Sequence, residues 1–131
     1  MKVVLDTNVL LAAFAARGLC ETVFQTCLGK HQIVLCEHIL KELGRNLGNK
    51  LRVSASHAEE IVTFIRENAL IVKPAHVDAR ACRDANDLPV LGALTVAQAD
   101  CLVTGDQDLL SLKVFHEIPI LSPRAFHDWL R

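Results

Sequence analysis

The chain alternates short apolar runs with longer stretches in which apolar residues recur every three or four positions. The short runs, such as Val3-Val4-Leu5, predict strands that are buried on both faces of a sheet. The longer stretches predict helices. The predicted strands are Lys2 to Leu5, Gln32 to Leu35, Leu70 to Val72, Cys101 to Thr104 and Ile118 to Ile120. The predicted helices are Val9 to Ala16, Glu21 to Leu28, Glu37 to Leu47, one opened by Ser56, one from Pro89 to about Gln98, and one from Ser122 through Trp129.

This order of elements, β-α-α-β-α-α-β-α-β-β-α, predicts a mainly parallel sheet. Parallel strands need crossover connections, and a helical stretch lies between most of the predicted strands. Strands that are apolar throughout need helices on both faces of the sheet. The sequence therefore predicts an α/β fold, a three-layer α/β/α sandwich formed by one domain over residues 1–131.

Composition indicates a soluble globular protein. Of the 131 residues, 51% are hydrophobic and 22% are charged, and the mean hydropathy is +0.29. The apolar stretch from Val3 to Ala16 is interrupted by Asp6 and Asn8 and is too short to span a bilayer. We therefore expect no membrane association. The five cysteines are odd in number and include no CxxC pair, so we expect free buried thiols and a cytoplasmic location.

Four acidic residues lie at the edges of apolar segments. Asp6 and Asp106 each follow a predicted strand, Asp87 precedes a predicted helix, and Glu42 lies at the margin of the apolar stripe of its helix. A lone carboxylate at the end of a buried strand is unfavourable unless a cation meets it. Each acid alone also fits a helix cap, a turn or a solvated surface. Together they predict a metal site, because sites in such sheets form outside the carboxyl ends of the strands.

Carboxylate ligands favour Mg²⁺ or Mn²⁺ over zinc, and such ions promote phosphodiester hydrolysis. Sequence motifs of other phosphate-binding folds are absent, since neither GxxxxGK[ST] nor GxGxxG occurs. A small phosphatase of the haloacid-dehalogenase type would need a second aspartate two residues after Asp6, where this chain has Asn8. The pattern thus favours a nuclease over a phosphatase.

Basic residues concentrate in one stretch although the net charge is −1. Two readings remain open, a solvated helix face and a rim that binds the phosphates of RNA. The candidates for this rim are Lys41, Arg45, Lys50 and Arg52.

The chain resembles the PIN-domain family, and in particular its VapC-like branch of toxins from toxin–antitoxin pairs. The resemblance lies in four segments, which are residues 3–10 (VVLDTNVL), 39–43 (ILKEL), 83–87 (RDAND) with Leu91, and 102–110 (LVTGDQDLL). They occur in the family's order and at suitable spacing over nearly the whole chain.

The resemblance implies a catalytic and metal-binding role for Asp6, Glu42, Asp87 and Asp106, which would hold one or two Mg²⁺ or Mn²⁺ ions. It also implies that RNA is the substrate and that an antitoxin protein is the partner. Supporting roles are implied for Asn8, Thr104 and Asp108.

Pro89 departs from the family pattern, which usually has a polar or aromatic residue two positions after the third acid. Proline fixes the local backbone and would favour Asp87 as a helix cap instead of a ligand. Asp84 is then the alternative acid.

The sequence thus predicts a metal-dependent endoribonuclease of the PIN fold. The alternatives are a PIN scaffold that binds RNA or protein without cutting, which metal titration would distinguish, and a small phosphatase.

We predict that the protein is a homodimer. The helix from Val9 to Ala16 is more apolar than one face of a sheet requires, and a second copy would cover the excess, as is common in the family. Light scattering should give about twice the chain mass of 14.4 kDa. A 14.4 kDa particle at high protein concentration would contradict the prediction.

Overall fold

The computed structural model describes residues 1–130. The strands are β1 (Lys2–Leu5), β2 (Gln32–Leu35), β3 (Ala69–Ile71), β4 (Cys101–Val103), β5 (Val114–Phe115) and β6 (Ile118–Leu121). The helices are α1 (Thr7–Ala15), α2 (Leu19–Lys30), α3 (Glu37–Asn49), α4 (Ala55–Glu67), α5 (Leu88–Ala97), α6 (Gln107–Leu110) and α7 (Pro123–Trp129). Two short 3-10 helices, Ala79–Ala81 and Ala85–Asp87, precede α5.

The six strands form one sheet in the order β3-β2-β1-β4-β6-β5. All neighbours pair in parallel except β5 and β6, which form an antiparallel hairpin at one edge. From β1 the chain moves outward to β2 and β3, then returns to pair β4 on the other side of β1. The carboxyl ends of β1 and β4 therefore flank the point at which the strand order reverses, which is where open parallel sheets place their sites.

The central strands are buried on both faces. Val3, Val4 and Leu5 of β1 are 0% exposed, and so is every residue of β4. Helix α5 is also apolar on nearly all sides, with six of its ten residues buried. A sheet with no wet face needs helices on both sides, so the predicted α/β/α sandwich on a mainly parallel sheet is confirmed.

Several predicted boundaries were wrong by one or two residues. Helix α1 begins at Thr7 instead of Val9, because the carbonyl of Asp6 already accepts from the N–H groups of Val9 and Leu10, at 3.1 and 3.2 Å. Helix α4 begins after Ser54 instead of Ser56, because the Ser54 hydroxyl caps the N–H of His57 at 3.2 Å. The predicted cap Ser122 and the first-turn position of Pro89 are confirmed.

The hairpin strand β5 and the short helix α6 were not predicted. A two-residue hairpin turn usually shows itself by Asn-Gly or Asp-Gly, since both central residues need left-handed backbone. Here His116 and Glu117 adopt that conformation, with φ of 49° and 68°, without glycine. The turn therefore has no sequence signal, and β5 is only two residues long.

The five cysteines are free, as predicted. No single helix within residues 1–130 combines the length and hydropathy needed to cross a membrane, and α1 and α2 meet the criterion only as a pair bent by 109°.

Gly92 lets the segment after β3 lie directly on α5. The Ala75 N–H donates to the Gly92 carbonyl at 3.1 Å. A Cβ atom at Gly92 would lie 2.3 Å from the Ala75 carbonyl oxygen and 3.0 Å from Pro74 Cβ. Since this segment continues to Asp87, the close contact at Gly92 helps to position the third acid.

We predict that Gly92→Ala destabilises the fold by roughly 1–3 kcal/mol, the range for a buried overlap, although alanine is the better helix former. Gly29→Ala in α2 is the matched control, because a Cβ there meets nothing within 4 Å. It should stabilise the protein by about 0.5–1 kcal/mol. Urea unfolding measures both effects, and a Gly92→Ala protein as stable as the parent would contradict the close contact.

Candidate metal centre

Asp6 is a buried carboxylate held by three donors. It follows β1 and is 5% exposed. Oδ1 accepts from the N–H of Thr7 at 2.8 Å. Oδ2 accepts from the hydroxyl of Thr104 at 2.8 Å and from Asn8 Nδ2 at 3.3 Å. Three hydrogen bonds fix the orientation of this side chain and offset part of the cost of its burial.

The end of β4 is connected to Asp6 through Thr104 and Asn8. Leu5 of β1 pairs with Val103 of β4, so the residues after them are neighbours. The Thr104 hydroxyl also accepts from the N–H of Asp106 at 3.0 Å, and Asn8 Oδ1 accepts from the N–H of Gly105 at 2.8 Å. Two of the three predicted supporting residues, Asn8 and Thr104, thus join the two strand ends that carry acids.

Asp106 begins α6. Its Oδ1 accepts from the N–H of Asp108 at 3.0 Å, which is an ordinary helix cap. Asp108 itself is partly exposed and lies 3.8 Å from the guanidinium of Arg83. Asp108 therefore contributes its backbone N–H to the orientation of Asp106.

Glu42 reaches the same place from α3. Its Oε1 accepts from the hydroxyl of Thr7 at 3.1 Å and lies 3.3 Å from His38 Nε2, one helical turn earlier. The buried stripe of α3, formed by Ile39, Leu40, Leu43 and Leu47, packs on the core. Glu42 lies at the margin of that stripe, as the spacing predicted, and faces a cavity.

Asp87 takes the position before α5 but does not cap it. Its side chain accepts no hydrogen bond from the helix, although Pro89 lies in the first turn. Asp87 is 9% exposed, and its Oδ2 is buried without a hydrogen-bond partner among residues 1–130. Asp84 makes the local cap instead, accepting from the N–H of Asn86 at 2.9 Å, and is exposed. The expectation that Pro89 would make Asp87 a helix cap is therefore wrong.

The four predicted acids line one cavity of about 190 Å³. The structure thus brings together acids that are 19 to 100 residues apart in the chain. Its other lining residues are Thr7, Asn8, Leu11, Asn46 and Lys50. Thr7, Leu11 and Asn46 were not predicted to line the site. For Asn46 a signal existed, because it lies one helical turn after Glu42 on the same face of α3.

The predicted basic rim is divided by α3. Lys50 lines the acidic cavity, whereas Lys41 and Arg45 line a different groove of about 810 Å³ between α3 and α4. Arg52 is exposed beyond the end of α3. The groove is the larger cavity, but Glu59 is its one lining carboxylate, so it does not have the chemistry of a cation site.

Burial and nearby negative charges disfavour the charged forms of Asp6 and Asp87. Burial raises the pKa of Asp87 to about 8, helped by a hydrogen bond with Asp106 when one of the two carboxyls is protonated and by the charges of Asp106, Asp6 and Asp84. Burial also raises the pKa of Asp6, against the hydrogen bonds from Thr104 and Thr7. A bound cation would reverse both effects.

The site fits a hard divalent cation in its chemistry. All four acids offer oxygen, and the Oδ2 atom of Asp87 has no partner within residues 1–130. Asp6 retains lone pairs beside its three hydrogen bonds, because an ionised carboxylate has about four acceptor positions. Within the described residues, no three Asp, Glu, His or Cys side chains are already arranged to hold an ion together. The carboxylates would therefore have to adjust as an ion binds.

Comparison with known proteins agrees with this architecture. A family model described as PIN domain matches residues 2–108. No curated protein matches the chain. A chain in the crystal structure of VapBC2 from Rickettsia felis bound to a DNA fragment from their promoter is similar in fold. The TM-score is 0.64 and the identity 13%, and the match covers 93% of this chain and 98% of that chain.

The raised pKa of Asp87 predicts that metal-free stability falls as pH rises. Between the ordinary value of 3.8 and about 8, the folded state binds more protons than the unfolded state. The contribution of Asp87 to the free energy of unfolding is therefore fully present below pH 3.8 and is lost progressively toward pH 8. Asp87→Asn removes this dependence and should be more stable than the parent at pH 8, by roughly 1–3 kcal/mol after allowance for solvent screening.

Urea unfolding in chelator at pH 5 and pH 8 measures the difference between parent and variant. Asp128→Asn in α7 is the control, since Asp128 is exposed and does not line the cavity of the four acids. Parallel pH profiles for the parent and Asp87→Asn would contradict the prediction.

Proposed function

The chain belongs to the PIN-domain family, and we propose that it is a divalent-metal-dependent endoribonuclease and the toxin of a toxin–antitoxin pair. One observation carries the proposal. Asp6, Glu42, Asp87 and Asp106, from four separate parts of the chain, converge on a single cavity at the carboxyl ends of β1 and β4.

The proposed roles follow from the contacts of each residue. Asp6, Glu42, Asp87 and Asp106 hold one or two Mg²⁺ or Mn²⁺ ions. The hydroxyl of Thr104 and the amide of Asn8 orient Asp6 and prevent its rotation away from the cavity. A bound ion would supply a Lewis acid for the phosphodiester and lower the pKa of a coordinated water.

RNA is proposed as the substrate because an acidic cavity with a basic residue beside it suits a phosphodiester held through metal. Lys50 is the cation that lines the cavity. A small phosphatase is disfavoured, because Asn8 uses both ends of its amide to connect Asp6, Thr104 and Gly105 and offers no second carboxylate.

A scaffold that binds without cutting is the alternative from a different class. The unpartnered oxygen of Asp87 weighs against it, because a site with no use for a cation would gain stability by satisfying or removing that carboxylate. The proposal also includes a homodimer, a cytoplasmic location and an antitoxin partner. The similar solved structure, of VapBC2, suits this last expectation.

Asp6→Asn and Asp106→Asn provide the test. Each removes a negative ligand while nearly preserving shape, so Mn²⁺ affinity and cleavage of a labelled RNA should fall by orders of magnitude. Stability in chelator should hold or rise, because repulsion among the carboxylates is relieved. A helix cap alone would behave differently, since asparagine caps about as well as aspartate.

Asp128→Asn is the matched control and should cleave like the parent, and Asp84→Asn tests the alternative acid. Equal cleavage by the parent and both site variants would end the nuclease assignment. Lost cleavage together with a large loss of stability in chelator would instead make these acids structural. Release of phosphate from nitrophenyl phosphate without RNA cleavage would favour the phosphatase.

A further inference from the structure

Helix α3 presents its polar residues on two different faces. Glu42, Asn46 and Lys50 are spaced by four residues and so lie in one row along the helix. Lys41 and Arg45 form a neighbouring row, rotated by about 100° around the axis. The first row lines the acidic cavity and the second lines the groove against α4. The basic residues of this stretch therefore do not act as one patch.

Lys50 and Asn46 are uncommitted donors at the cavity. Within residues 1–130, neither side chain makes a hydrogen bond or an ion pair, although four carboxylates line the same cavity. Lys50 lies roughly 12 Å along the helix from Glu42, at about 1.5 Å per residue. Side chains on a helix lean toward its N-terminus, so the ammonium group of Lys50 is carried back toward Asn46 and the acids.

This arrangement differs from that of a residue that neutralises the acids. A neutralising lysine would sit in an ion pair with one of them, as Arg66 does with Glu37 on the outer face of the molecule. Lys50 instead lines the cavity wall with its charge unpaired within the described residues and at a distance along the helix from the nearest acid of α3. Its position suits an anion that extends beyond the acids along α3.

We propose that Lys50 is a positioning residue that binds a phosphate of the RNA strand next to the one being cleaved, with the Asn46 amide as a further donor between Lys50 and Glu42. The inference rests on the proposed function and deepens it, because it assigns the direction in which the substrate strand leaves the site, along α3 away from Glu42. Lys41 and Arg45, on the other face, do not contact that strand.

The test compares kinetics of cleavage of a labelled single-stranded RNA in Mn²⁺ over a series of salt concentrations. Lys50→Gln should raise KM roughly two- to fivefold at low salt, the size expected for one exposed ion pair. The slope of log kcat/KM against log salt should become shallower by about 0.7, the value for one phosphate contact on a single strand. kcat should stay within about twofold, and Lys50→Arg should restore KM.

Two further variants make the test specific. Lys30→Gln is the matched charge control. Lys30 ends α2 just before the amino end of β2, whereas the acids lie at the carboxyl ends of the strands, so this variant should cleave RNA like the parent. Lys41→Gln should leave KM and the salt slope at the parent's values. Calorimetric titration with Mn²⁺ alone should give equal affinity for the parent and Lys50→Gln.

Three results would overturn the inference. Equal changes in Lys50→Gln and Lys41→Gln would show a general electrostatic effect of α3. Lower kcat and weaker Mn²⁺ binding at unchanged KM would make Lys50 a structural part of the metal centre. Absence of RNA cleavage by the parent protein would overturn the proposed function together with this inference, whereas cleavage by the parent with an unaltered Lys50→Gln would overturn the inference alone.

Discussion

The convergence of like charges at a buried edge of the sheet is the constraint on which the rest of the structure depends. Ionised carboxylates in a poorly solvated cavity repel one another and lose hydration, so the fold must supply stability elsewhere. It does so through strands β1 and β4, which are buried on both faces, and through the almost wholly apolar helix α5. Asp6 and Asp106 follow β1 and β4, and Asp87 directly precedes α5, so well-packed elements position these three acids, whereas Glu42 lies within α3.

The sequence carried enough information to place the acids, for a physical reason. An aspartate that ends a buried apolar run must lie at a strand end, and carboxyl ends of parallel strands share an edge of the sheet. Asp6 and Asp106 follow from that rule, and Glu42 follows from helical spacing. What the sequence could not show was the state of Asp87, because Pro89 allowed both a cap and a free carboxylate. In the structure Asp84 caps the preceding turn by accepting from the N–H of Asn86, and the carboxylate of Asp87 caps no helix.

Other features were less predictable for different reasons. The hairpin of β5 and β6 uses left-handed His116 and Glu117 where glycine would have marked the turn. The basic residues along α3 are close in sequence and were predicted as one patch. The helical rotation of about 100° per residue would have placed Lys41 and Lys50 on different faces of the helix. Asn46 is a neutral residue, and its one sequence signal was its position one helical turn after Glu42 on the same face of α3.

The acids differ in how firmly the fold holds them, and this difference bears on how the site would take up an ion. Asp6 is fixed by three hydrogen bonds between two paired strands, so it can serve as the reference point of the site. Asp87 ends the short 3-10 helix Ala85–Asp87 and belongs to no strand. The segment that leads to it contacts α5 earlier, where Ala75 lies against Gly92. The side chain of Asp87 also has an unsatisfied oxygen. We therefore expect that rearrangement on ion binding falls on the segment before α5 and leaves the sheet unchanged.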